Sequence, residues 1–248
     1  MNVYVMKDYE EMSGAAAEQI AKKMLHNPKI VLGLATGGTP EGMYRYLVEK
    51  YYRRELSFQH ATTFNLDEYI GLNDDHPLSY HAYMKKHLFD HVDVRTDHTH
   101  LPNGKARDIE QECLNYEQQI QLSGGIDLQI LGLGHNGHIG FNEPNTSFDS
   151  RTHRIELDEQ TREANARYFD TLEEVPSEAI TMGISTILEA KEILVLVSGA
   201  DKAEAVRKMI SEAPNPNHPA TVLQNHPNVT LFIDEAAAVE LDESMATK

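Results

Sequence analysis

The chain has 248 residues, 40% hydrophobic and 25% charged, a balance that excludes wholesale disorder and supports a core needing no disulfide or metal staple. Its 39 acidic residues outnumber 22 basic ones, and the formal charge of −17 repels nucleic acid and anionic membrane surfaces. Cys113 has no second cysteine to pair with, no leader-like or membrane-length apolar run stands out, and the cytoplasm is the expected compartment.

The predicted elements alternate strand and helix. Asn2–Met6 reads as a short apolar strand, and Tyr9–His26 as a helix with Met12, Ala16, Ile20 and Met24 on one face. Lys29–Ala35 (KIVLGLA) is nearly continuously apolar, as a strand buried on both faces is. A Thr-Gly-Gly-Thr-Pro turn leads into a helix over Glu41–Arg53, followed by a strand over Thr62–Leu66. Ser79–His91 and Lys105–Leu122 read as helices, Ile126–Leu133 as a second buried strand, and Thr161–Phe169 as a further helix. Late strands over Ile193–Val197 and Val229–Ile233 flank a helix over Ala200–Ser211. This alternation predicts an α/β fold, a doubly wound and mostly parallel sheet with helices on both faces. Ligands then bind beyond the carboxyl ends of the strands. No repeat or linker divides the chain, Pro214–Pro219 reads as a loop, and one domain over 1–248 is expected.

Four segments at those strand ends carry chemistry. In Thr36-Gly37-Gly38-Thr39-Pro40 the glycines admit close backbone approach, and hydroxyls with free N–H groups at the helix start form an anion cradle. A plain strand-to-helix turn has the same composition. Asn65-Leu66-Asp67-Glu68-Tyr69 ends a strand on two carboxylates, which suit either a general base or a helix N-cap. Gly132 to Pro144 (GLGHNGHIGFNEP) formally matches a dinucleotide fingerprint, but His138, Phe141, Asn142, Glu143 and Pro144 stand where that fold continues a long helix. His138 and Glu143 suit a histidine oriented by a carboxylate across a tight loop. His135 and His138 lack a third ligand at zinc-type spacing, so no metal is expected. Lys202, after Ser198-Gly199-Ala200-Asp201, and Arg167 are isolated cations, each suited to a phosphate or to a solvated helix face.

In order and spacing, Leu34–Pro40, Asn65–Tyr69, Gly132–Pro144, Thr161–Arg167 and Ser198–Lys202 resemble the glucosamine-6-phosphate deaminase family over nearly the whole chain. The resemblance implies a modified Rossmann-like sheet. It implies conversion of glucosamine 6-phosphate and water to fructose 6-phosphate and ammonia, in amino sugar catabolism, with no cofactor. It makes His138 the ring-opening histidine, Asp67 the base that moves the C2 proton to C1, and Glu143 the acid partnering the histidine. It assigns the phosphate to Thr36, Gly37, Gly38 and Thr39 with Arg167 and Lys202.

Two departures qualify it. Asn136 stands where many members carry the aspartate of an Asp-His-Glu group, so Glu143 is expected to supply most of the electrostatic support for His138. His153 and Ile155 stand where the allosterically activated hexamers have cations, so a monomer or small homo-oligomer with little or no activation by N-acetylglucosamine 6-phosphate is expected. The sibling 6-phosphogluconolactonases follow their histidine with a Ser-Leu-Phe-Pro type of sequence, where this chain has Phe141-Asn142-Glu143-Pro144. A sugar-phosphate sensor of related fold would carry a DNA-binding helix-turn-helix, whereas this chain opens on its first strand. A lid over the site is expected within Leu157–Ser177.

Overall fold

The structure, a computed structural model, describes residues 1–157, 171 and 174–242. The strands among them are β1 (Asn2–Met6), β2 (Val31–Leu34), β3 (Thr62–Asn65), β4 (Asp67–Tyr69), β5 (Thr99–His100), β6 (Leu128–Leu131), β7 (His153–Glu156), β8 (Glu178–Thr181), β9 (Glu192–Val197) and β10 (Val229–Asp234). The helices are α1 (Tyr9–His26), α2 (Glu41–Tyr52), α3 (Tyr80–His87), α4 (Ile109–Leu122), α5 (Ile184–Leu188) and α6 (Ala203–Ser211). The expected helix over Thr161–Phe169, and most of the expected lid, lie outside the described residues.

Seven strands pair in parallel in the order β1-β10-β9-β6-β2-β3-β5. From β2 the chain winds outward through β3 and β5, then restarts on the other side at β6 and winds through β9 and β10. Reversed winding puts helices on both faces and opens a crevice at the β2/β6 boundary. Both strands at that boundary are buried along their whole length, as their largely apolar runs require, with Gln129 of β6 donating its Nε2 to Ile130 O at 2.9 Å.

Helix ends follow local chemistry. Asp8 caps α1 by accepting from the Glu11 amide at 2.9 Å. Asp108 does the same for α4 through Gln111 at 3.0 Å, which is why that helix starts at Ile109 rather than at Lys105. The stretch Ser79–His91 is shorter as a helix than its composition suggests, because Leu88 leaves helical geometry and Phe89–His91 forms a 3-10 turn. A 3-10 turn over Ala200–Lys202 likewise precedes α6.

A second sheet was not foreseen. Strands β4, β8 and β7 pair antiparallel, with Asp67 opposite Thr181 and Thr181 opposite His153. Only Leu66 separates β3 of the large sheet from β4 of the small one. Its N–H donates to Leu34 O at 3.0 Å, and its carbonyl accepts from Met182 N at 2.7 Å. A single residue, through its two flanking peptide units, therefore ties the two sheets together at the foot of the crevice. A small cluster of Tyr69, Phe141, Leu157 and Ala179 packs under the small sheet, apart from the main core.

Glu117 of α4 fastens the small sheet to the large layer. Its buried carboxylate accepts from Thr152 N (2.8 Å), Thr152 Oγ1 (2.5 Å), Thr186 Oγ1 (2.6 Å) and Arg151 Nη2 (2.6 Å). Burial raises its pKa, but these donors outweigh that and hold it below the ordinary glutamate value. Glu117→Ala strands two hydroxyls, an amide and a guanidinium, and should cost about 2–4 kcal/mol by urea unfolding, with Cys113→Ser on the same helix as a milder control.

Candidate active site

Loops after β2, β6 and β9 enclose a cleft of about 650 Å³, with Asp67 in its wall and Lys202 at its rim. Thr36, Gly37, Gly38, Thr39, Asn136 and His138 all line it, so the structure brings together every described residue that the sequence assigns to catalysis or to the phosphate except Glu143, which lies behind the histidine. Arg167 lies outside the described residues.

The two adjacent carboxylates divide because successive strand side chains point to opposite faces. Glu68 turns away from the cleft and accepts from Tyr80 N and His81 N, both at 3.0 Å, and from the His81 ring at 2.7 Å. It anchors the first turn of α3 beside the cap residue Ser79, so the helix-cap reading holds for Glu68. Asp67 faces the cleft, only 6% exposed, and no described residue donates to its carboxylate. Burial, reinforced by the nearby Glu68 charge, pushes its pKa up to about 8.

The loop after β6 folds back on itself through Gly137 N to Gly134 O at 3.0 Å and Gly134 N to His138 O at 2.9 Å. A Cβ on Gly134 would fall 2.3–2.4 Å from three atoms of the His138 ring, so the imidazole rests directly on that glycine. His138 Nδ1 lies 3.3 Å from Glu143 Oε2, close but not aligned as a hydrogen bond. The same oxygen accepts from Asn136 Nδ2 at 2.7 Å, while Asn136 Oδ1 receives the His138 backbone N–H at 3.2 Å. The Asn136 amide thus steers the carboxylate and the loop rather than the imidazole. Asn142, fully buried, bridges Ile139 O and Met182 O at 2.8 and 2.9 Å and fixes the Asn-Glu-Pro turn against the small sheet.

Thr181 couples the two halves of the cleft. It pairs with Asp67 across the small sheet, and its hydroxyl accepts from Phe141 N at 3.1 Å. Gly140 therefore sits beside Asp67, where an added Cβ would lie 3.7 Å from Oδ2. On the β9 side, Asp234 at the end of β10 accepts from Ser198 Oγ (2.5 Å) and Gly199 N (3.1 Å), shaping the turn that delivers Lys202. Gly37 holds φ +98, a conformation that favours glycine, and bends the β2 loop around the cleft.

Residues 7–232 match the family model for glucosamine-6-phosphate isomerases and 6-phosphogluconolactonases. The chain belongs to this family. A glucosamine-6-phosphate deaminase of Shouchella clausii is 56% identical over 238 residues, 96% of each chain. One of Thermoanaerobacter pseudethanolicus is 52% identical over 246 residues, 99% of this chain and 97% of its own. A solved monomeric glucosamine-6-phosphate deaminase superposes with a TM-score of 0.94 at 52% identity, covering 96% of this chain and 99% of that one. The 6-phosphogluconolactonase of Trypanosoma cruzi shares the fold, at a TM-score of 0.78 and 19% identity.

Sequence reasoning missed Tyr80, which lines the cleft with its ring 6.2 Å from Phe141. A lone tyrosine at a helix start carries no pattern that marks it. It also missed Thr181 and Asp234, which act from strands distant in the chain.

Because the folded value of Asp67 lies above the unfolded one, ionising it in the fold carries a cost. That cost is absent below the ordinary aspartate range, grows as pH rises and is complete above about 8. Asp67→Asn should therefore gain stability relative to the parent on going from pH 5 to pH 9, by a few kcal/mol in urea unfolding. An equal difference at both pH values would show that Asp67 ionises freely.

Proposed function

We propose that the chain is a glucosamine-6-phosphate deaminase, turning glucosamine 6-phosphate and water into fructose 6-phosphate and ammonia in amino sugar catabolism. The observation that carries the reading is Asp67, a buried carboxylate with no donor from the described residues, facing a cleft shared with a carboxylate-backed histidine.

His138 opens the ring by taking the proton of the O1 hydroxyl and delivering it to the ring oxygen, and Glu143 stabilises the imidazolium formed between the two transfers. Asp67 then takes the C2 proton to give the enolamine and returns it to C1. Water adds to the resulting C2 imine and ammonia leaves. The proton pathway begins and ends with the same groups, so no redox cofactor is called for. The loop Thr36–Thr39, with Lys202 and Arg167, takes the phosphate, its local donors outweighing the distant charge of −17.

The lactonase reading is disfavoured by the segment after the histidine. Phe141-Asn142-Glu143-Pro144 is built into the site, with Asn142 clamping two backbone carbonyls and Glu143 meeting the imidazole. The substrate is a small sugar phosphate, with nucleic acid repelled by the acidic surface, and no described helix is long and apolar enough to cross a membrane. We place the enzyme in the cytoplasm as a monomer or small homo-oligomer. Little or no activation by N-acetylglucosamine 6-phosphate fits the state of the cations near β7. Arg151 is spent on Glu117 and Glu189, and Arg154 on Glu178.

Ammonia release from glucosamine 6-phosphate should be robust for the parent, and lactone hydrolysis absent. The reverse outcome would assign the chain to the sibling activity. For kcat/KM, which reports the free enzyme, the rate should climb as pH rises through about 8, where Asp67 becomes a base. Glu143→Gln should lower turnover by roughly tenfold or more; a change of only a few-fold would remove Glu143 from the proton pathway.

A further inference from the structure

Three carbonyls of the β2 loop each accept a hydroxyl from a different helix. Ala35 O is met by Tyr44 of α2 at 2.6 Å, Gly37 O by Tyr83 of α3 at 2.6 Å, and Gly38 O by Tyr9 of α1 at 3.0 Å. Tyr9 also accepts from Gly42 N at 2.8 Å, so its single hydroxyl joins the loop to the first turn of α2. The three tyrosines come from positions scattered over the first 83 residues and share no motif.

A trans peptide holds its C=O and N–H on opposite sides. Drawing the carbonyls of Ala35, Gly37 and Gly38 toward the tyrosines therefore turns the amides of Thr36, Gly38 and Thr39 the other way. Those residues line the cleft, and among the described residues none of the three amides donates to a protein acceptor. Oriented, unspent N–H groups are what an anion site needs, and in a chain of charge −17 such local dipoles matter more than the overall field.

We propose that Tyr9, Tyr44 and Tyr83 are positioning residues for the substrate phosphate, which they reach only through the peptide planes they hold. The proposal rests on the reading of this loop as the phosphate site. Without the hydroxyls the Gly-Gly segment is free to rotate its peptides, and binding of the anion then carries the cost of ordering them. The chemistry at the other end of the sugar, at Asp67 and His138, is untouched by that cost. Affinity for phosphate should fall while turnover at saturation persists.

The test is the full-length double variant Tyr9→Phe/Tyr83→Phe, beside each single variant, with inorganic phosphate as the probe by calorimetry. Phenylalanine keeps the ring, including the contact of Tyr83 with His87 at 4.3 Å, and removes only the hydroxyl, which at Tyr9 also takes the acceptor from Gly42 N. Each lost hydrogen bond should weaken phosphate binding about three- to tenfold, and the double variant by roughly tenfold or more. KM for glucosamine 6-phosphate should rise in parallel, with kcat kept within about threefold, a split that general loosening of the fold does not produce. Asp67→Asn should show the opposite split, losing turnover while binding phosphate as the parent does. A double variant that melts as the parent does yet binds phosphate within twofold of it would overturn the proposal. If that variant does not fold, the same result from a single variant decides. A parent that binds no phosphate overturns it as well. Phosphate binding without ammonia release would leave the positioning role standing and remove only the deaminase reading.

Discussion

Leu66 donates its N–H into the parallel sheet and offers its carbonyl to the antiparallel one, and the cleft depends on that shared residue. It swings the chain off β3 so that the next residue, Asp67, starts a strand in a different sheet. Alternation along that strand then aims Asp67 at the crevice and Glu68 at the start of α3. Thr181, opposite Asp67, carries the β6 loop through Phe141. A parallel sheet alone would have left Asp67 at a strand tip, open to water. The added sheet walls it in, and burial is what lifts its pKa.

The electrostatics of the cleft are arranged against the charge of the molecule. A carboxylate that is costly to ionise keeps the cleft from holding a further full negative charge where an anionic substrate must enter. The β2 loop offers amides rather than many cations, and dipoles oriented by backbone geometry do not depend on the sign of the surface. The Asn136 amide belongs to the same logic. Placed 2.7 Å from Glu143 Oε2, it gives that carboxylate a donor where an aspartate would add a second charge. The departure at this position is thus absorbed by a change of partner, the amide holding the acid while the acid faces the imidazole.

Much of this was legible in the residues. Largely apolar runs at Lys29–Ala35 and Ile126–Leu133 mark the two buried strands that border the crevice, and the glycine loops after them mark its rim. The small sheet was not legible, for physical reasons. Strand β4 has three residues, and β7 reads HRIE, with one apolar residue and charges that satisfy themselves across the sheet through Arg154 and Glu178. Nor could adjacent Asp67 and Glu68 be told apart, because their roles are set by which face each side chain takes. Helix limits moved where a cap residue, Asp108, outcompeted the helical composition upstream of it. The tyrosines that hold the β2 loop gave no signal, since each makes its contact across 9 to 46 residues of sequence.

The proposed chemistry requires Asp67 to move a proton between carbon atoms, a step separable from ring opening. Fructose 6-phosphate and ammonium in deuterium oxide, followed by proton NMR, should show the parent exchanging a single C1 hydrogen for deuterium as the enolamine forms and reverts. Asp67→Asn should abolish this exchange, while His138→Gln should retain it, because the open-chain ketose is present without enzymatic ring opening. Exchange that survives in Asp67→Asn, or that vanishes only with His138, would contradict the proposed chemistry.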